Sequence, residues 1–125
     1  MLTLEVYKQF MNFIIRILIS AVAVMLTAWL LPGIEVEGFF TAILVALVLA
    51  LLNVFLKPLL VILTIPITIF TFGLFLFVIN ALIILLVGEF VGGFYVDGFW
   101  WALLFSIILT IVSSLFGVGK KREIN

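Results

Sequence analysis

The chain has 125 residues, of which 68% are hydrophobic and 10% charged, with a mean hydropathy of +1.61. Soluble domains carry about a quarter charged residues, so a water-soluble fold is excluded. Six basic residues balance six acidic ones, which gives no bulk attraction to nucleic acid, and Cys and His are both absent, which excludes disulfides, thiol catalysis, haem ligation and imidazole–metal sites; no cofactor is expected.

In chain order, the apolar runs predict four membrane-spanning helices. The first covers 13–31, interrupted near its start by Arg16, and the second covers 39–56. The third covers 73–91 and the fourth 99–116. Spans of about 18–19 residues reach about 27–29 Å, close to the hydrocarbon thickness of a bilayer. Helix is the form that satisfies the backbone in lipid, and the runs lack the alternating polar residues of a barrel strand. The fold class is therefore an all-α membrane protein, a single integral domain over 1–125. Ala21-Val22-Ala23 looks superficially like a signal-peptide cleavage site. Arg16 leaves only 17–20 as a clean apolar run before it, so 13–31 is read as a genuine span.

Orientation follows from the basic residues. Lys8, Arg16, Lys57, Lys120, Lys121 and Arg122 fall on one side of a four-span path, which predicts both termini in the cytoplasm. Glu35, Glu37, Asp97 and, near the edge, Glu89 fall on the other. Trp29, Phe39 and Phe40 flank the first outer loop, and Tyr95, Phe99, Trp100 and Trp101 flank the second, as an interfacial belt requires.

One phrase occurs twice, sixty residues apart: Gly33-Ile34-Glu35-Val36-Glu37-Gly38-Phe39 and Gly93-Phe94-Tyr95-Val96-Asp97-Gly98-Phe99. Gly33/Gly93, Val36/Val96, Gly38/Gly98 and Phe39/Phe99 match, and Glu37/Asp97 keep the charge. The spacing predicts two helical hairpins, repeat 1 over about 13–56 and repeat 2 over about 73–116, running parallel because both outer loops share a face. Pro32-Gly33 and Gly92-Gly93 end the preceding helices. The alternation in 34–37 suits a short extended segment. Glu37 and Asp97 then precede the next helix, where a carboxylate meets exposed amides, Asp97 being the better N-cap type. The competing reading is an outer acidic ring that attracts cations in an oligomer.

Residues 57–72 fit neither hairpin. The apolar stretch 58–88 would span about 47 Å as one straight helix, too long for one crossing and too short for two. Pro58 suits the first turn of a new helix, Pro66 favours a kink, and Gly73 permits a sharp turn. A Pro-kinked or re-entrant half-helix is expected here, with Thr64, Thr68 and Thr71 on one face. Asn53, Thr64, Thr68, Asn80 and Glu89 are the candidate polar positions, read either as interhelical contacts or as pore lining. Ala42, Ala46 and Ala50 give a smooth face for packing within one subunit or between subunits. A cytoplasmic tail is expected over 117–125.

These residues carry a family resemblance. Leu31-Pro32-Gly33, Val36-Glu37-Gly38-Phe39, Leu52-Asn53 with Lys57-Pro58, and Ile65-Pro66-Ile67-Thr68 are followed by Phe72-Gly73-Leu74-Phe75, Val78-Ile79-Asn80-Ala81 and Gly93-Phe94 with Val96-Asp97-Gly98-Phe99-Trp100. In that order and spacing, over roughly 13–115, the chain resembles the four-transmembrane phage-holin-like proteins, the superfamily IV holin-like group of bacterial chromosomes. Gly92 departs from the pattern, in which Pro often precedes the glycine of the second loop. The resemblance implies a bacterial inner-membrane protein named after phage holins, which accumulate, associate laterally and perforate the membrane. It offers no catalytic residues to carry over, and no enzyme is expected. The leading expectation is a self-associating multi-pass inner-membrane protein of this family, with membrane permeabilisation open; the alternatives are an envelope scaffold or accessory subunit without pore activity and a small channel or transporter. The expected partners are the lipid bilayer and further copies of the chain, not nucleic acid, and no small-molecule substrate is assigned.

Overall fold

The first apolar run coils from Leu2 to Leu30 as helix α1. Leu31 ends it with an extended backbone (φ −113°, ψ 115°) and donates its N–H to the Ala28 carbonyl at 3.2 Å, immediately before Pro32. The computed structural model describes residues 1–117. After α1 come strand β1 (Ile34–Val36), α2 (Phe39–Leu63), α3 (Ile65–Phe70), α4 (Phe75–Phe90), strand β2 (Phe94–Val96) and α5 (Phe99–Leu115). Lys120, Lys121 and Arg122 of the expected cytoplasmic tail lie outside the described residues.

Helices make up most of the chain. α1 and α2 are long and apolar enough to cross a membrane, while α4 and α5 are shorter apolar helices of 16 and 17 residues. The four long helices pack as a ring: α1 touches α2 and α5, and α4 touches the same two. α1 and α4 are diagonal, as are α2 and α5, and neither diagonal pair brings Cα atoms within 8 Å of one another among the described residues.

The core occupies the half of the ring nearest the strands. Ala21, Val24, Ala42, Val45 and Ala46 meet Ile83, Ile84, Val87, Ala102 and Phe105 there, all buried. In lipid the apolar effect does not drive helices together, so close approach over small side chains does this work. Ala42 and Ala46 are used inside the subunit, against the core. Away from the strands the ring loosens: all of residues 2–16 are exposed, as are Leu51, Val54 and Phe55 of α2.

The two extended segments pair with each other. β1 and β2 form an antiparallel ribbon in the register Ile34↔Val96, Glu35↔Tyr95 and Val36↔Phe94. Ile34 and Phe94 point into the core, while Glu35 and Tyr95 are exposed. The Phe94 ring stacks at a tilt on Phe105, centroids 5.6 Å apart. An all-α description therefore omits one element, a ribbon that joins the two hairpins at one end of the ring.

The middle segment also differs from expectation. Pro58 lies inside α2 and does not begin a new helix. Its missing N–H leaves the Val54 carbonyl without its helical donor, but both residues are exposed, so the disturbed turn faces away from the core. The break comes at Thr64 (φ −108°, ψ 16°), and Pro66 falls in the first turn of α3, where no amide hydrogen is needed. α3 ends in a Schellman arrangement. Gly73 N–H donates to Thr68 O at 2.8 Å and Phe72 N–H to Ile69 O at 3.1 Å, with Phe72 at φ +56° and Gly73 at φ +87°.

Candidate functional site

The ribbon end is built from the repeated phrase. Just outside the paired residues, Glu37 N–H donates to Gly93 O and Asp97 N–H donates to Gly33 O, each at 2.9 Å. Ile34 N–H returns to Leu31 O at 3.2 Å, and Phe94 N–H returns to Val91 O at 3.4 Å. Each of these pairs repeats at an interval of sixty residues. Using Glu37 and Asp97 as the last rungs of the ribbon leaves both acids one position ahead of the N-caps. Gly38 and Gly98 occupy the two N-caps, and neither helix has a side-chain cap bond. The expected N-cap role of Asp97 is thus corrected. The Tyr95 hydroxyl reaches Glu37 Oε2 at 3.4 Å, a contact between the hairpins. Trp29 and Trp100 project outward here, 80% and 76% exposed.

At the opposite, looser end a cavity of about 570 Å³ opens in the corner that α1 makes with α2 and α5. The space is lined by α1 from one side and by α2 and α5, the two helices that pack against α1, from the others. Arg16, Ser20, Asn53, Thr110, Ser113 and Ser114 supply its polar lining, and Val24, Ala46 and Leu109 close it towards the core. Arg16, Asn53 and Ser113 each lie fourteen residues from the ribbon end of their helix, a shared depth of about 21 Å. The Thr110 hydroxyl is committed to Ser106 O at 2.8 Å. Ser20, Asn53, Ser113 and Ser114 have no intrachain side-chain hydrogen bond among the described residues.

A family described as "Mycobacterial 4 TMS phage holin, superfamily IV" matches residues 11–115. The chain belongs to this phage holin family. Two relatives are similar along most of their length. One is the uncharacterised membrane protein YvlD of Bacillus subtilis, 38% identical over 106 residues, covering 84% of this chain and 89% of the relative. The other is an uncharacterised protein of Streptomyces coelicolor, 40% identical over 112 residues, covering 82% of this chain and 90% of the relative. No solved structure matches the chain. Family and relatives together make this a four-span, holin-like protein of a bacterial cell membrane.

Within this holin-family ring the polar positions singled out from sequence separate. Asn53 lines the inner cavity. Glu89 is exposed and borders a different groove of about 620 Å³, which is apolar for the most part and runs beside Gly88 and Val96. Asn80 is half-buried between Ile79 and Ala81 of α4 and lines neither cavity. Thr64 donates to Leu60 O at 2.8 Å and sits 3.5 Å from the Thr68 hydroxyl; Thr71 donates to Ile67 O at 3.0 Å and accepts from Phe75 N–H at 3.2 Å. These threonines bond back to their own turn and brace the α2–α3–α4 connection.

Arg16, Ser20, Ser113 and Ser114 join the cavity lining without being among the polar positions expected from sequence. Their signal is present in the sequence: Ser20 is one turn from Arg16, and Ser113 and Ser114 are each one turn from Thr110, so each set shares a helix face. What the sequence does not carry is that these faces meet one another and Asn53.

Proposed function

We propose that the chain is a sealed, multi-pass protein of the bacterial inner membrane, acting as an envelope scaffold or accessory subunit and not as a hole made by one copy. The packing of the ribbon half carries this reading. Val24, Ala46, Ile83 and Phe105 are essentially inaccessible, so a water path entering the inner cavity stops at them. Lys8, Arg16 and Lys57 stand away from the ribbon, while Glu35, Glu37 and Asp97 belong to it; this supports both termini in the cytoplasm. The sixty-residue recurrence of the ribbon bonds supports two parallel repeats, 13–56 and 73–116, joined by 57–72 and related by an approximate two-fold axis between Glu35 and Tyr95.

Family membership favours a second reading, in which several copies associate and permeabilise the membrane between chains. Controlled expression with a membrane-impermeant dye separates the two. Full insertion with no dye entry is the expected result. Rapid entry at modest expression overturns the sealed reading.

A further inference from the structure

We infer that the inner cavity binds the phosphodiester headgroup of an anionic phospholipid, with Arg16 as its charged anchor. With the ribbon end of α1 set at the outer boundary of a hydrocarbon layer about 30 Å thick, Arg16, about 21 Å along the helix, stands about 9 Å short of the inner boundary. A charge at that depth requires a partner. Of the acids among the described residues, Glu35, Glu37, Glu89 and Asp97 stand at or beside the ribbon, and Glu5 is three turns further along α1. No ion pair to Arg16 forms among the described residues.

The cavity supplies the missing half of that partnership in chemical outline. The Asn53 carboxamide and the hydroxyls of Ser20, Ser113 and Ser114 line the same space as Arg16, all able to donate, and no carboxylate lines it. A donor-rich lining with one fixed positive charge selects oxyanions, and the Arg fork matches two phosphate oxygens at once. Choline or ethanolamine would bring a second cation against Arg16 with no acid among the described lining residues to receive it, so an anionic headgroup is favoured over a zwitterionic one. A volume of about 570 Å³ accommodates a phosphodiester with its glycerol. The source is lipid rather than free phosphate because Phe13, Leu49 and Val54 add apolar walls beside the polar lining, and Phe13 and Val54 are exposed, as side chains that meet acyl chains would be. Assigning the lipid to the cytoplasmic leaflet rests on the orientation proposed above; the binding does not.

The test is lipid retention by the full chain in nanodiscs of equimolar dioleoylphosphatidylglycerol and dioleoylphosphatidylcholine, read by native mass spectrometry. Retention of phosphatidylglycerol at about tenfold preference is expected, the order of one charge-assisted bidentate contact. Arg16→Gln should reduce it to parity, and Arg16→Lys should keep part of it. Parity in the unaltered chain, or an unchanged preference in Arg16→Gln, overturns the proposal. Displacement of the lipid by millimolar inorganic phosphate also overturns it, in favour of a soluble anion. Should Arg16→Gln fail to insert, the Asn53→Ala/Ser113→Ala pair decides: it keeps the charge and should lower the amount of phosphatidylglycerol retained several-fold, and unchanged retention overturns the assignment. Dye entry reports on the sealed half and lipid retention on the cavity, so either reading can fail alone.

Discussion

The indole of Trp101 lies over Gly33 so closely that a Cβ on the glycine would overlap the ring. Its counterpart sixty residues along is Gly93, where a Cβ would come within 2.8 Å of Glu37 Oε1 and 3.1 Å of Thr41 Oγ1. In both cases the third residue of the following helix covers the glycine from the other hairpin. Trp101 cannot yield as a carboxylate tip can, so the first contact is the stiffer of the two.

Gly33→Ala should therefore lower stability by about 1–3 kcal/mol, the range for forcing extra volume into a packed site. Trp101→Leu in the same chain should recover part of the loss. Thermal unfolding in detergent, followed by circular dichroism, measures both. Equal midpoints for the parent and Gly33→Ala would mean that the indole moves aside freely.

Gly38 and Gly98 look equivalent in sequence but are not equivalent in conformation. Gly98 has φ +102°, whereas Gly38 is fully extended at φ −178°, and neither would bring a Cβ within 4 Å of a neighbour. Gly98→Ala should cost about 1–2 kcal/mol through backbone strain alone. Gly38→Ala should fall within about 0.5 kcal/mol of the parent. The same unfolding measurement separates them, and similar losses at both positions would contradict the assignment.

Four apolar runs were legible because membrane solvation leaves a strong, contiguous signal in the chain. The ribbon was not. Each strand has three residues, and its partner is sixty positions away, so periodicity reports an extended segment without reporting what it pairs with. The end of α2 was obscured for another reason: Pro58 signals a new helix, yet on an exposed face a lost backbone bond is tolerated and the helix continues to Leu63. Asn53 and Asn80 show the same limit for the site. Both are carboxamides within apolar helices, and only the packing of α1 against α2 and α5 gives Asn53 a polar cavity to line.

Phe72 is strained and gains no packing from it. It holds φ +56° at the end of α3 while 95% exposed. Phe72→Gly should relieve the left-handed conformation and raise stability by about 1 kcal/mol. The detergent-solubilised chain should melt at a higher temperature. A lower midpoint would show that the exposed ring holds the connection through contact with the surrounding amphiphile.

Glu35 and Tyr95 are direct partners at the centre of the ribbon, and the chain contains no Cys. Opposed antiparallel residues have Cα atoms about 4.5–5.5 Å apart, inside the range of a disulfide. The Glu35→Cys/Tyr95→Cys pair should oxidise within one chain, so that the two hairpins stay linked after cleavage of the α2–α4 connection. The single variant Glu35→Cys also tests orientation. A membrane-impermeant maleimide should label it in intact cells, whereas Thr3→Cys, on the first turn of α1, should react only after the membrane is opened. The reverse pattern would put the ribbon in the cytoplasm and overturn the orientation deduced from Lys8, Arg16 and Lys57. Labelling of neither single variant in opened cells would show instead that the reagent cannot reach these positions in the folded protein.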